Sequence, residues 1–257
     1  MRHLKSFAKR PAAVYSAAAA IAVLIIYSRR PDAFLNPQFW AEDGRIWYAQ
    51  AYNEGVIYSL TTPEAGYFQT VSRLVAIFAQ AFPLEYAPLI FNLAAVAAKL
   101  LVVGFLLSRR TENFLPQLWM RIFAAFVYLA MPHSYEPHAN LTNAQWHLAL
   151  LACLVIAAAA PARRFWKIFD LAAVSISVLS GPFCLFLLPV GLLKYWRDRD
   201  RWTLYLLTIV AAGWSTSTRC PRRSGACCCG RSGASCTRTP PTACAWRSRP
   251  AATSASG

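Results

Sequence analysis

Between residues 12 and 210 the chain alternates long apolar runs with short stretches that hold nearly all of its charge. The first run, residues 12–28, has the length of about 17–25 residues that a helix needs to cross a bilayer. It follows Arg2, Lys5, Lys9 and Arg10. Cytoplasmic loops collect basic residues, so the N-terminus is predicted on the cytoplasmic side. A cleaved signal peptide would need small residues after the run, and Arg29-Arg30-Pro31 stands there instead. Further runs fall at residues 86–107, ending in Arg109-Arg110, at 115–132, and at 146–160, before Arg163, Arg164 and Lys167. A single crossing over residues 168–193 would carry Lys194, Arg197, Arg199 and Arg201 to the outside. A break at Gly181-Pro182 removes that conflict, because proline cannot extend the helical hydrogen-bond ladder and its predecessor avoids helical geometry. A last run begins near Thr203. Residues 29–86 form the longest interval without an unbroken run and are predicted to face outward, with residues 70–82 lying along the membrane surface. The pattern predicts an all-α fold: a polytopic transmembrane helical bundle with a long first external loop containing juxtamembrane helices.

Composition agrees with that solvent. Hydrophobic residues make up 57% and charged residues 14% of the chain, against about 45–50% and 25% in soluble domains. A net charge of +15 would suggest nucleic acid in a soluble protein, but here apolar runs interrupt the basic residues. The expected partner is the lipid bilayer, with no nucleic acid. On the predicted topology 14 Lys/Arg are cytoplasmic and four external, while seven carboxylates are external and four cytoplasmic.

The C-terminus inflates the charge. All 47 residues from 211 to 257 are Ala, Arg, Cys, Gly, Pro, Ser, Thr or Trp, whereas the longest earlier run of these types is eight, residues 157–164. Codons for these eight types all carry G or C at the middle position, the mark of a GC-rich gene read out of frame. The expected division is a membrane domain over residues 1–214 and an out-of-frame, unpacked tail over 215–257. A genuine low-complexity tail that binds metal or forms disulfides is the alternative. Seven of the basic residues and six of the eight cysteines lie in the tail. Neither a zinc site nor a redox compartment therefore follows from the cysteines, and without the tail the charge falls to +8.

Against this basic background, residues 39–48 (FWAEDGRIWY) place Glu42 and Asp43 side by side between Phe39-Trp40 and Trp47-Tyr48. One reading is an interfacial helix with a solvated acidic pair, its tryptophans anchored in the headgroup zone. The other is catalytic. Arg45 follows directly, then Gly66-Tyr67-Phe68-Gln69 and Arg73. A carboxylate beside arginines at a membrane-facing cavity suits both proton abstraction and phosphate binding.

One N-terminal span, a long external loop with an acidic pair near its start, and many short spans after it: this layout resembles the membrane glycosyltransferases of the GT-C fold, which use polyprenyl-phosphate-linked sugars. Residues 179–189 (LSGPFCLFLLP) also resemble the Lys-Gly-Pro helix break of that superfamily's aminoarabinose and mannosyl transferases, with Ser180 where Lys is usual. The layout covers most of residues 12–210, the likeness in sequence only these two short motifs. The resemblance implies a multi-pass protein of the bacterial inner membrane that moves a sugar from a polyprenyl-phosphate donor to an acceptor on the external face. Asp43, or failing it Glu42, would be the general base, its pKa raised by like charge and desolvation. Arg45 and Arg73 would neutralise the leaving phosphate, although each reads equally well as a snorkelling interfacial arginine.

Residues 133–147 (HSYEPHANLTNAQWH) hold three of the four histidines. His133, Glu136 and His138 are candidates for an acceptor or metal rim. A divalent cation suits such side chains, but no ligand spacing fixes a metal site. Asn140-Leu141-Thr142 matches a glycosylation sequon. Lys99 lies well inside the run 86–107, where a charge must turn into the bundle or snorkel out, and Asn92 shares its helix face. With Asp170, these are the residues that a lipid flippase or small-solute carrier would use, which is the rival function. A non-catalytic membrane subunit is the third.

Overall fold

The structure, a computed structural model, describes residues 11–64, 67–131 and 138–218, with side chains for residues 15–214. Backbone contacts divide the chain into Met1–Cys220 and Pro221–Gly257. The second unit, and with it almost all of the expected tail, lies outside the described residues.

The described residues are all-helical, with one isolated bridge between Glu64 and Tyr67. Helix α1 (Pro11–Arg29) is followed by a short α2 (Asp32–Leu35) and a π-helical turn (Asp43–Tyr48) that runs into α3 (Ala49–Asn53). Then come α4 (Val56–Thr61), α5 (Thr70–Ala79), α6 (Ala87–Leu107), α7 (Leu118–Ala130), α8 (Ala144–Ala157), α9 (Arg164–Ser180), α10 (Cys184–Asp198) and α11 (Arg201–Thr218). Each apolar run read from the sequence forms a helix. The break at Gly181-Pro182 falls between α9 and α10. A Cβ at Gly181 would lie 2.4 Å from the Phe183 ring and 2.6 Å from Gln145 Oε1, so a larger residue there would have to displace both side chains.

Among the described residues one helical stretch, Leu84–Leu107, is long and apolar enough to cross a membrane, with mean hydropathy 2.3. Helices α7 and α8 are shorter than their apolar runs, at 13 and 14 residues. At 1.5 Å per residue they span only about 20 Å.

The larger apolar core lies among α1 and α6–α11, built on Ile26, Val102, Leu151, Val174, Leu187 and Leu206. A second core joins the segment between α1 and α6 to α6 and α8 through Trp47, Ala76, Phe91 and Leu148. It carries the candidate site. In α5 the buried face carries Ser72, Arg73 and Ala76, whereas Leu74 and Phe78 are exposed.

Helix α11 approaches α9 so closely that a Cβ on Gly213 would sit 1.7 Å from Val178 Cγ1. Gly213→Ala is therefore expected to cost about 1–3 kcal/mol by overpacking. Val178→Ala in the same chain should recover most of that loss, with thermal unfolding in detergent as the measure.

Candidate functional site

The acidic pair splits. Ala41, with φ 43°, reverses the chain, and the Asp43 amide donates to the Trp40 carbonyl at 2.8 Å. Phe39 lies against Gly44, where a Cβ would come within 2.8 Å of its ring, and meets Phe91 edge-on at 5.2 Å. This anchors the π-helical turn on α6. Such turns are rare and occur frequently at functional sites. Asp43 is consequently fully buried, whereas Glu42 is half-buried beside it.

Thr142, just before α8, supplies the partner. Its hydroxyl donates to Asp43 Oδ1 at 2.8 Å and accepts from Trp47 Nε1 at 3.1 Å. The second carboxyl oxygen, Oδ2, is buried with no hydrogen-bond partner. Burial pushes the Asp43 carboxyl up to about 7, against the lowering effect of the Thr142 hydroxyl and the Thr142 and Leu141 amides; the Glu42 charge adds the smallest push. The expectation of a raised pKa therefore holds chiefly through desolvation rather than like charge. A carboxyl that titrates near neutrality and keeps one oxygen uncommitted can take a proton from a hydroxyl. The Asp43 side chain is fully buried, however, and lines none of the cavities described among these residues.

The arginines do not converge on it. Arg45 is exposed and makes no hydrogen bond or ion pair among the described residues. Arg73 is fully buried. Its guanidinium donates to Phe68 O at 2.6 Å, to Gln50 Oε1 at 2.9 Å and to Ser59 O, and stacks 5.0 Å over Trp47. It ties α3, α4 and α5 together, and only Nη2 lacks a partner.

Of the predicted rim, His133 and Glu136 lie outside the described residues. His138 is fully buried and belongs to a different cluster. Arg29 Nη1 lies 3.2 Å from its Nε2, Lys99 Nζ contacts its Nδ1, and Arg30 Nη1 donates to its carbonyl at 2.8 Å. Burial first, then the Lys99 and Arg29 charges and the smaller effects of His147 and Arg30, push His138 down to about 4. No group of three or more His, Cys, Asp or Glu side chains suited to a metal ion occurs among the described residues. Asn140 is also fully buried. Thr142 is committed to Asp43, so the sequon is inaccessible in the folded chain. Comparison with protein families, curated proteins and solved structures found no match to this chain.

Thr142 and Trp47 were not legible as site residues. Thr142 stands 99 positions from Asp43, and its only local signal was the sequon. Thr142→Val removes a hydrogen bond that favours the ionised carboxyl, so the Asp43 pKa is expected to rise further. The acid limb of the pH profile of any Asp43-dependent reaction should then move to higher pH, and Thr142→Ser should restore it.

Proposed function

We propose that this chain is a multi-pass membrane glycosyltransferase that moves a sugar from a polyprenyl-phosphate donor to an acceptor on the external face, with Asp43 as general base. The observation that carries the reading is Asp43 itself: a buried carboxyl between α2 and α5, held near neutrality, with Oδ2 uncommitted. The apolar runs and the Leu84–Leu107 helix support the membrane setting. Asp43 is fully buried, so the acceptor reaches it only through a local opening of the surrounding side chains. General-base transfer needs the carboxylate form, so kcat/KM should rise with pH through an apparent pKa near 7.

The carrier reading draws less support. Asn92 donates to the Ala33 carbonyl at 2.9 Å, and Asp170 is paired with Arg110. Lys99 meets His138 Nδ1, so all three candidate path residues have structural partners.

The test has two parts. Reporter fusions after Glu64 should report an external location, and fusions after Arg110, Arg164 and Arg199 a cytoplasmic one. Membranes bearing the frame-restored gene should transfer labelled sugar from a polyprenyl-phosphate donor with the pH profile above. A cytoplasmic signal at Glu64, or transfer independent of pH between about 5 and 9 (roughly two decades of Asp43 ionisation on either side of neutrality), would rule out the proposal.

A further inference from the structure

A laterally open groove of about 260 Å³ lies between α1, α6 and α7. Its walls are apolar, formed by Ala18 and Ile25 of α1, Val103 and Leu107 of α6, and Ala125 and Leu129 of α7. At its mouth Ile21 and Phe126 are more than half exposed. Followed along each helix, all three walls lead to the same place. Arg29 lies one turn beyond Ile25, Lys99 one turn from Val103, and Ala130 directly after Leu129. There the Arg29 guanidinium donates to Ala130 O at 3.0 Å and Met131 O at 2.7 Å and reaches His138, while Lys99 meets the other nitrogen of the same ring. Lys99 is central in the sequence of α6, but it stands level with the ends of α1 and α7.

We infer that the groove and the cations at its end form a binding site for a single-chain lipid phosphate, with the chain along the groove and the phosphate against Lys99 and Arg29. The inference rests on the membrane reading above and deepens it. It assigns the headgroup of the donor lipid to this cluster rather than to Arg45 and Arg73.

The chemistry of the imidazole supports an anion there. A neutral ring has one lone pair and one N–H, yet it faces two cationic donors, so it can accept from only one of them. Lys99 is 2% exposed, and the His138 ring nitrogen is its one hydrogen-bond acceptor among the described residues; the Tyr128 ring lies 5.5 Å away. It forms no ion pair with a carboxylate among those residues. A phosphate oxygen would accept from the ammonium and guanidinium together, where one imidazole cannot. The position also fits a lipid source. An apolar groove open to the side admits a hydrocarbon chain from the bilayer and places its headgroup where two short helices end.

The purified chain in detergent would be titrated with farnesyl phosphate, farnesol and inorganic phosphate, following intrinsic tryptophan fluorescence and thermal unfolding. Farnesyl phosphate should bind saturably, with the other two at least about tenfold weaker, as expected when charged hydrogen bonds and chain burial each contribute. Lys99→Met should weaken farnesyl phosphate by about tenfold or more while leaving farnesol unchanged. Ala18→Trp fills the groove without touching the cations and should weaken farnesyl phosphate and farnesol alike. If Lys99→Met does not fold, the wild-type ligand series and Ala18→Trp still decide. Equal affinity for farnesol and farnesyl phosphate, inorganic phosphate binding as tightly as its lipid ester, or unchanged binding in a folded variant overturns the site. Binding is read without turnover and should survive Asp43→Asn, so the failure of this site is separable from the failure of the transferase reading.

Discussion

Asp43→Asn is expected to lower sugar transfer by about 10²–10⁴-fold, the usual contribution of a general base, while making the protein more stable at alkaline pH. Asparagine keeps an oxygen to accept from Thr142 but cannot take the proton. The stability effect follows from the same burial that raises the pKa. A carboxyl with a folded pKa of about 7 against an ordinary 3.8 contributes its full share of stability below the lower value. That share is lost as pH rises through the higher one, because ionisation is then unfavourable only in the folded state. Above pH about 7 the wild type therefore carries a penalty of a few kcal/mol that the asparagine variant lacks. The two curves of Tm against pH should coincide below about pH 4, diverge between about pH 4 and 7 and stay apart above neutrality. Glu42→Gln, which removes only the weakest influence on Asp43, should reduce transfer far less. Full transfer in the Asp43 variant together with the alkaline gain in Tm would leave Asp43 a strained structural carboxyl. Full transfer with no gain would remove both roles.

Asp170→Ala is expected to lower stability by about 3–5 kcal/mol, because it leaves a largely buried guanidinium without its counter-charge. Arg110 grips Asp170 with two hydrogen bonds, 3.0 and 2.9 Å, and the side chains are 11% and 0% exposed. Trp202 Nε1 adds a third bond to Asp170 Oδ2 at 3.1 Å, and the guanidinium lies 5.7 Å and 5.5 Å from the centroids of the Phe105 and Trp166 rings. One carboxylate thus joins the end of α6, the first turns of α9 and the start of α11. In a chain of this size the loss corresponds to a fall in Tm of roughly 10 °C, measurable by unfolding in detergent. Arg110→Met combined with Asp170→Ala should be much less harmful than the sum of the two single changes, since no buried charge is then orphaned. Additive effects would mean that the pair does not act as a clamp.

The helices were legible because their causes are local. Apolar run length, the position of charged residues and the inability of Gly181-Pro182 to continue a helix all act over a few residues, so the sequence by itself determined the order of helices and the break before α10. It also singled out Asp43 as unusual, since a carboxylate next to interfacial aromatics is visible without any fold. What it could not determine was which way each side chain points. Glu42 and Asp43 are neighbours in the chain but project from successive positions of a helical turn, and packing of Phe39 on Phe91 sends one inward and leaves the other half-buried. Arg73 was placed near a phosphate because it shares a loop with the acidic pair and because of the family resemblance, and it was the proximity of three backbone segments that committed it to Phe68, Ser59 and Gln50. Thr142 and Asp43 meet across 99 residues, and Lys99 meets His138 across 39. Contacts of that separation exist only once the helices have packed, because no periodicity or spacing in the chain encodes them; only the tertiary structure decided that Asp43 is buried and protonatable and that the cations gather at the end of an apolar groove.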